Sequence, residues 1–540
     1  MTLPRVKALD EFPSPYLTGL MDKFFDGKLT PMMETNRGCP FSCTFCHEGH
    51  EIFQKVNFFS MERVKSELEY IAERVSPNVH SLMFCDPNFG MYHRDVDICK
   101  AIVPIQAKTG WPTDITASTG KNNKERIANA LSELKGAMQM WLSVQSMDKL
   151  VLDNIKRTNI SLEDMMHIQT SLTAQHLPSK SEIILGLPGE TYESHIKTIA
   201  DLITAGVDSI SAYTMMLLEG TNLNIPEERD KWGFLTKFRV LPRDFVKLGS
   251  GTNVVEIEEV VVGTKDLSFN DYVVLRRFHL IISAVYNGKA FASLFRLFRE
   301  SHTDVFPLLK GVLERVSEAP QIVRTLVAEF ESETIDELWD SEEELRTFYK
   351  RDENYDLLVS GDLGSNLLQK YVALSLSEAS DDWSRYLFSI ARDILSNQVE
   401  DHGTVLDQLD NLERYCTARV WNLFGADTLT KVPKEVLAYD VEAWITDAAG
   451  EQLDNVRYET PKQMKFIFTQ EQYNTTEDNL DRFGRTPQGI GKVLTRLNIV
   501  NLWRKCVPAG SDELVENGKQ PEVFYALIDE QPSGGTIVRR

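Results

Sequence analysis

The stretch RGCPFSCTFCHEGH, residues 37–50, places three of the chain's seven cysteines, Cys39, Cys43 and Cys46, within eight positions. The segment before it, PMMETN (31–36), is apolar and then polar, so the cysteines fall on the loop that leaves a first strand. The spacing C-x3-C-x2-C lets each intervening peptide curl back, and three thiolates can then converge on one inorganic centre. A structural zinc wants four closed ligands, commonly as two separated pairs. No second pair follows, so a zinc loop would need His47 or His50 as its fourth ligand. A four-iron cluster held by three cysteines instead leaves one iron open to a reactant.

Working outward from that loop, five more short apolar segments end in polar or Gly-containing loops: HSLMFCDPN (80–88), PTDITASTG (112–120), MQMWLSVQS (138–146), SEIILGLPG (181–189) and DSISAYTMML (208–217). Helical patterns at 60–75, 124–135 and 191–206 separate them, the last opening on Thr191 and closing on Gly206. Strands alternating with helices predict parallel βα units. Six units predict an α/β fold, a partial (β/α)6 barrel with its chemistry at the C-terminal strand ends.

Four segments are expected: a lead-in at 1–30, the barrel with an extension at 31–265, a helical domain at 266–430, and a small α+β segment at 431–540. The helical part opens at Ser268, a residue suited to capping. The tail PSGGTIVRR reads as loose. In the extension VEIEEVVVG, Glu258 and Glu259 alternate, so at most one faces any site, and solvated side chains are expected. Cys85, inside an apolar strand, reads as a buried small hydrophobe, and Met215 and Met216 read as packing.

The balance of 58 basic against 80 acidic residues gives a net charge of −22, which argues against a nucleic-acid partner. Seven cysteines without a charged start and apolar leader argue against a disulfide framework and for a reducing cytoplasm. No run approaches the roughly 18 apolar residues that span a bilayer, so no membrane is expected.

The loop resembles the signature of radical S-adenosylmethionine (radical SAM) enzymes, C-x3-C-x-aromatic-C, with Phe45 in the aromatic slot. The resemblance implies a 4Fe-4S cluster on Cys39, Cys43 and Cys46 whose open iron binds S-adenosylmethionine, with release of a 5'-deoxyadenosyl radical. It implies an electron donor such as flavodoxin or ferredoxin, and a site that excludes water. Further positions follow from it. In FCDPNFGM, Asp86, Asn88 and Phe89 are where the family's loop nears the methionine amino group, although a plain βα turn reads equally well. In ITAST, Ser118 reaches toward ribose or substrate, or else has a core or capping role. In WLSVQSMDKLVLDNIKR, Gln145 and Arg157 address the cofactor, the guanidinium pairing with its carboxylate and Ser143 beside them. In EIILGLPGET, Gly186 and Gly189 let the backbone turn under the adenine, while Glu190 favours either the helix N-terminus or the ligand.

The lead-in DEFPSPYLTGLMDKFF with NRGCPF resembles the cobalamin-associated branch, yet no D-x-H-x-x-G cobalamin signature occurs, which leaves cobalamin open. Three functions are compatible: radical modification of a small molecule of sugar or secondary-metabolite type, modification or methylation of RNA or a peptide, and a non-catalytic zinc- or cluster-stabilised scaffold that binds a protein.

Overall fold

Parallel strands carry the N-terminal half. The computed structural model describes residues 6, 8–120, 122–175, 177–398, 402–425, 427–446, 452–497 and 499–510; the tail PSGGTIVRR lies outside them. The first eight strands are β1 (Met32–Met33), β2 (Asn36–Arg37), β3 (Asn57–Phe58), β4 (Ser81–Phe89), β5 (Asp114–Thr119), β6 (Met140–Trp141), β7 (Ser179–Leu185) and β8 (Ser209–Thr214). Parallel ladders join β1, β4 and β5, and likewise β6, β7 and β8. The two groups meet at a parallel bridge between Ile115 and Met138, where the Ile115 N–H reaches the Ala137 carbonyl at 2.7 Å. The result is an α/β fold whose six parallel strands follow chain order in an open, partial barrel. The antiparallel pair β2–β3 stands outside it and closes the base of the cysteine loop.

Helices α1 (Met61–Ala72), α2 (His93–Thr109), α3 (Lys124–Glu133), α4 (Lys149–Asn154), α5 (Leu162–Ala174) and α6 (Tyr192–Thr204) fill the connections. Ser60, Asp148, Ser161 and Thr191 cap four of them through side-chain oxygens, satisfying amides that the first turn leaves open. The register Leu82↔Ile115 and Phe84↔Ala117 puts these four side chains on one face, buried in the same core as Val64, Leu68, Ile98 and Ile127 from the helices. Met83, Cys85, Thr116 and Ser118 fall on the opposite face, toward the barrel interior. Cys85 is thus exposed there, where the apolar context had suggested burial.

After β8 the chain forms α7 (Pro226–Trp232) and the hairpin of β9 (Leu235–Lys247) and β10 (Asn253–Gly263). The hairpin returns to the barrel: the Leu217 N–H donates to the Glu259 carbonyl at 3.0 Å, and the Val261 N–H to the Met215 carbonyl at 2.8 Å. Neither glutamate is a free solvated group. Glu259 pairs with Arg229, and Glu258 with Arg239, which also holds Glu337. Met215 packs beside Leu217 and Val261.

From α8 (Phe269–Ile281), capped by Ser268, the described residues are mainly helical to Val420, and an antiparallel sheet of β11 (Lys434–Tyr439), β12 (Arg457–Ile467) and β13 (Lys505–Pro508) follows. One apolar core runs from Leu9 to Trp503, so the lead-in, barrel and helical part bury their surfaces together. Tyr16 in the lead-in fastens β1, its hydroxyl donating to the Met32 carbonyl at 2.7 Å and accepting from the Met32 N–H at 3.1 Å. The opposite edge is held by a π-turn after α8, Ile282–Asn287. The Asn287 carboxamide accepts from the Ile210 N–H at 2.9 Å and donates to the Ile210 carbonyl at 2.8 Å. Among the described residues, no helix is long and apolar enough to cross a membrane.

Replacing Asn287 by Leu leaves both backbone groups of the buried Ile210 without partners, at a cost of about 2–4 kcal/mol. The expected result is a lower urea midpoint for the first unfolding transition; an unchanged midpoint would show that the carboxamide is dispensable.

Candidate active site

The cysteine loop is fixed by backbone bonds to distant elements. The Cys39 N–H donates to the Phe53 carbonyl at 2.8 Å, the Thr44 N–H to Ile155 at 3.1 Å, and the Leu223 N–H to the Thr44 carbonyl at 3.2 Å. Phe45 packs against the apolar cluster that contains Val151, Ile155, Leu187, Met215 and Trp232, so the aromatic of the signature anchors the loop in apolar surroundings. Gly49 is required for closeness: a Cβ there would lie 2.0 Å from the Cys43 carbonyl oxygen. Cys39 and Cys43 are buried, and Cys46 is half-buried.

Neither histidine behaves as a fourth zinc ligand. His50 caps a short turn, its Nδ1 accepting from the Ile52 N–H at 3.4 Å, and the His47 ring rests on Phe53 with centroids 5.2 Å apart. Among the described residues, no three His, Cys, Asp or Glu side chains are grouped to hold a single metal ion. A cluster takes one sulfur per iron, so its thiolates stand further apart than those around a single ion.

The end of β4 touches the loop twice. Asp86 accepts from the Thr35 N–H at 2.7 Å, from the Thr35 hydroxyl, and from the Asn36 carboxamide at 2.8 Å. Its carboxylate is therefore a clamp on the strand exit that leads into Cys39, not a group left free for a cofactor. Burial pushes it up to about 7, against the lowering pull of the Thr35 bonds. Asn88 donates from Nδ2 to the Cys39 Sγ at 3.2 Å, and its buried Oδ1 has no partner among the described residues. Phe89, expected near the cofactor, stacks on Phe84 in the core with centroids 4.8 Å apart. It belongs to the face that meets the helices.

Beyond β6 the chain leaves regular strand geometry at Gln145, whose φ is +65°. Its N–H still donates to the Glu182 carbonyl at 2.8 Å, and its carbonyl accepts from the Ile184 N–H at 2.9 Å. Arg157 is only 5% exposed. It donates to Asn159 Oδ1 at 2.9 Å and to the Ser143 carbonyl, and its guanidinium reaches the Cys43 sulfur. Burial lowers its pKa, while Cys43, Glu182 and Cys46 act to raise it. The Ser143 hydroxyl donates to Glu182 Oε2 at 2.6 Å. Ser118 lies on the interior face and is exposed.

Gly186 and Gly189 shape the turn after β7, with φ of +94° and +79°, a region that side chains other than glycine enter at a cost. A Cβ on Gly189 would lie 2.6 Å from the Asn154 carboxamide, and one on Gly186 would lie 3.1 Å from the Val261 carbonyl.

Cys39, Cys43, Cys46, Asn88 and Arg157 thus form one constellation. Ser143 reaches it through Arg157, Phe45 supports it from behind, and Asp86 clamps its entry. Glu182 and Asn159 were missed; only the alternation of Glu182 with Ile184 along β7 signalled an inward carboxylate. A buried guanidinium on the Cys43 sulfur, with the unpaired buried Asn88 carbonyl on the same cysteine loop, suits an anionic cysteine-held cluster and an amino-acid ligand.

Because burial raises Asp86 in the folded protein, the carboxyl favours folding most when protonated, below its ordinary value of 3.8, and that contribution is lost as pH rises toward about 7. The Asp86→Asn variant lacks this titration. The difference in stability between wild type and variant, followed by urea unfolding of the iron-free protein, is expected to shift in favour of the variant between these pH values. A pH-independent difference would show that the clamp is ionised throughout.

Residues 33–203 match the radical SAM superfamily. The chain is 33% identical over 304 residues to the 2-(S-pantetheinyl)-carbapenam-3-carboxylate methyltransferase of Streptantibioticus cattleyicolor, covering 54% of this chain and 44% of that protein. It is 31% identical over 309 residues to the cobalamin-dependent radical SAM methyltransferase TokK of Streptomyces tokunonensis, covering 55% and 44%. Among solved structures, the cobalamin-dependent S-adenosylmethionine radical enzyme OxsB aligns with a TM-score of 0.37 and 13% identity over 76% of this chain and 61% of that one. The chain therefore matches less than half the length of either curated relative. The match runs from the cysteine loop through the glycine turn and into α6, so residues 33–203 are a domain of the radical SAM superfamily.

Proposed function

We propose that Cys39, Cys43 and Cys46 hold a 4Fe-4S cluster, that S-adenosylmethionine binds beside it, and that the enzyme modifies a small molecule, methyl transfer being the reaction. The observation that carries this reading is the buried Arg157 guanidinium on the Cys43 sulfur, a cation placed where negative charge would gather. Small-molecule methylation is supported by the two relatives, both methyltransferases and one acting on a carbapenam, and by the net charge of −22, which opposes RNA. When bound and reduced by a donor such as flavodoxin or ferredoxin, the cluster would supply reductive cleavage of one S-adenosylmethionine to methionine and a 5'-deoxyadenosyl radical that takes hydrogen from substrate, while a second S-adenosylmethionine would be the methyl source and leave as S-adenosylhomocysteine, two electrons being consumed in all.

The chain's own residues prepare that event. Asn88 donates to Cys39 and so lowers the charge on that sulfur, while its Oδ1 is available to a ligand amino group. Arg157 is held in place by Asn159 and Ser143 rather than by a carboxylate pair, which leaves its charge for the cysteine loop and a ligand carboxylate. Met83, Thr116 and Ser118 line the interior face, where substrate would sit shielded by the strands. No residue of this chain is assigned to cobalamin.

The test is anaerobic reconstitution with iron and sulfide, reduction, and assay of 5'-deoxyadenosine and S-adenosylhomocysteine with and without added cobalamin. Deoxyadenosine is expected from the wild type, and background levels from Cys43→Ala. Arg157→Met is expected to raise KM for S-adenosylmethionine by about tenfold or more, the value of one charge-assisted hydrogen bond. A protein that binds one zinc, holds no iron and leaves S-adenosylmethionine intact would overturn the proposal.

A further inference from the structure

A buried polar chain joins the glycine turn to the helical part of the molecule. Glu190 Oε2 accepts from the Gly186 N–H at 2.7 Å, and Oε1 lies 2.8 Å from His195 Nδ1. The other ring nitrogen of His195, Nε2, lies 2.8 Å from Nε2 of His279 on α8. All three side chains are at most 1% exposed. At that distance one proton lies between Glu190 Oε1 and His195 Nδ1, and the two groups are locked together by it. A single proton fits between the two Nε2 atoms. His279 is held well below the usual imidazole range, first by burial and then by the charge of His195 and Arg276. Its Nδ1 has no partner among the described residues, so its bond to His195 is the one it makes.

Two nonpolar side chains would pack α6 on α8 without this arrangement, and a half-satisfied buried network costs more than an apolar one. Each link here depends on the next. Gly186 stands at the far end, with φ +94° and its α-carbon side pressed on the Val261 carbonyl of β10.

We infer that His279 is a positioning residue for the Gly186–Gly189 turn: through His195 and Glu190 it fixes the Gly186 N–H, so that docking of α8 on the barrel sets the shape of the turn. The consequence for ligand rests on the proposed function, which gives that turn to the adenine of S-adenosylmethionine. The coupling itself does not.

The experiment is hydrogen–deuterium exchange on the full chain without cofactor, comparing wild type, His279→Leu and His279→Gln, whose carboxamide can donate to His195. Exchange in the peptide holding Gly186 is expected to quicken about tenfold in His279→Leu and to stay within about threefold of wild type in His279→Gln, as loss and partial rescue of one buried hydrogen bond require. The flanking amides of β7 and α6 are expected to keep their protection. Unchanged exchange in His279→Leu, or equal quickening across β7, α6 and the turn, would overturn the inference. Should His279→Leu not fold, Glu190→Gln, His279→Gln and their combination replace it; turn exchange in the double variant below the product of the two single effects supports coupling, and a simple product overturns it. After reconstitution, His279→Leu is expected to raise KM for S-adenosylmethionine with kcat little changed. A loosened turn with unaltered KM would leave the positioning role standing and overturn the adenine assignment.

Discussion

The burial of a guanidinium against a thiol is the constraint on which the site depends. Arg157 cannot be left uncompensated in a protein interior, because an isolated buried charge costs several kcal/mol. The structure answers with Asn159 Oδ1, the Ser143 carbonyl and the Cys43 sulfur, and so ties the end of β6, the segment after α4 and the cysteine loop into one unit. Thr44 and Leu223 extend that unit by backbone bonds, and Phe45 completes it by packing. Three cysteines that lie on a loop are thereby given the rigidity of the elements around them.

Much of this was legible because the signals are local. Three cysteines in eight residues, an aromatic between the last two, and glycines bracketing a strand-to-helix turn need no knowledge of the rest of the chain. The alternation of βα units was equally plain in apolar runs and helix caps. What lay hidden depends on pairs far apart in sequence. Glu182 gains meaning only because Ser143 stands opposite it, and His195 only because His279 comes from another region.

Side-chain phase also decided which residues fell short. On β4, Leu82 and Phe84 share the face that meets the helices and Cys85 was turned to the interior, while beyond Phe84 the ladder breaks and Asp86 turns to Thr35 and Asn36. Past that break the ladder resumes at Phe89, whose ring joins Phe84 in the core. The fourth segment yielded a ladder of two residues, since the chain departs from regular pairing after Trp141 and meets β7 again at a bridge between Gln145 and Ile183, where Gln145 takes a positive φ. The division of the chain at about residue 266 has no counterpart in the apolar core, which is continuous across it.

An open barrel has two free margins, each a row of unsatisfied backbone groups that invites pairing with another chain. The Asn287 carboxamide imitates a short piece of strand on β8, offering one donor and one acceptor to Ile210. Tyr16 does the same with a single hydroxyl on β1. These side chains act as terminators that let a sheet end without a further strand. They guard against edge-to-edge aggregation, so the segments that carry them protect the barrel from its own kind as well as adding to its core.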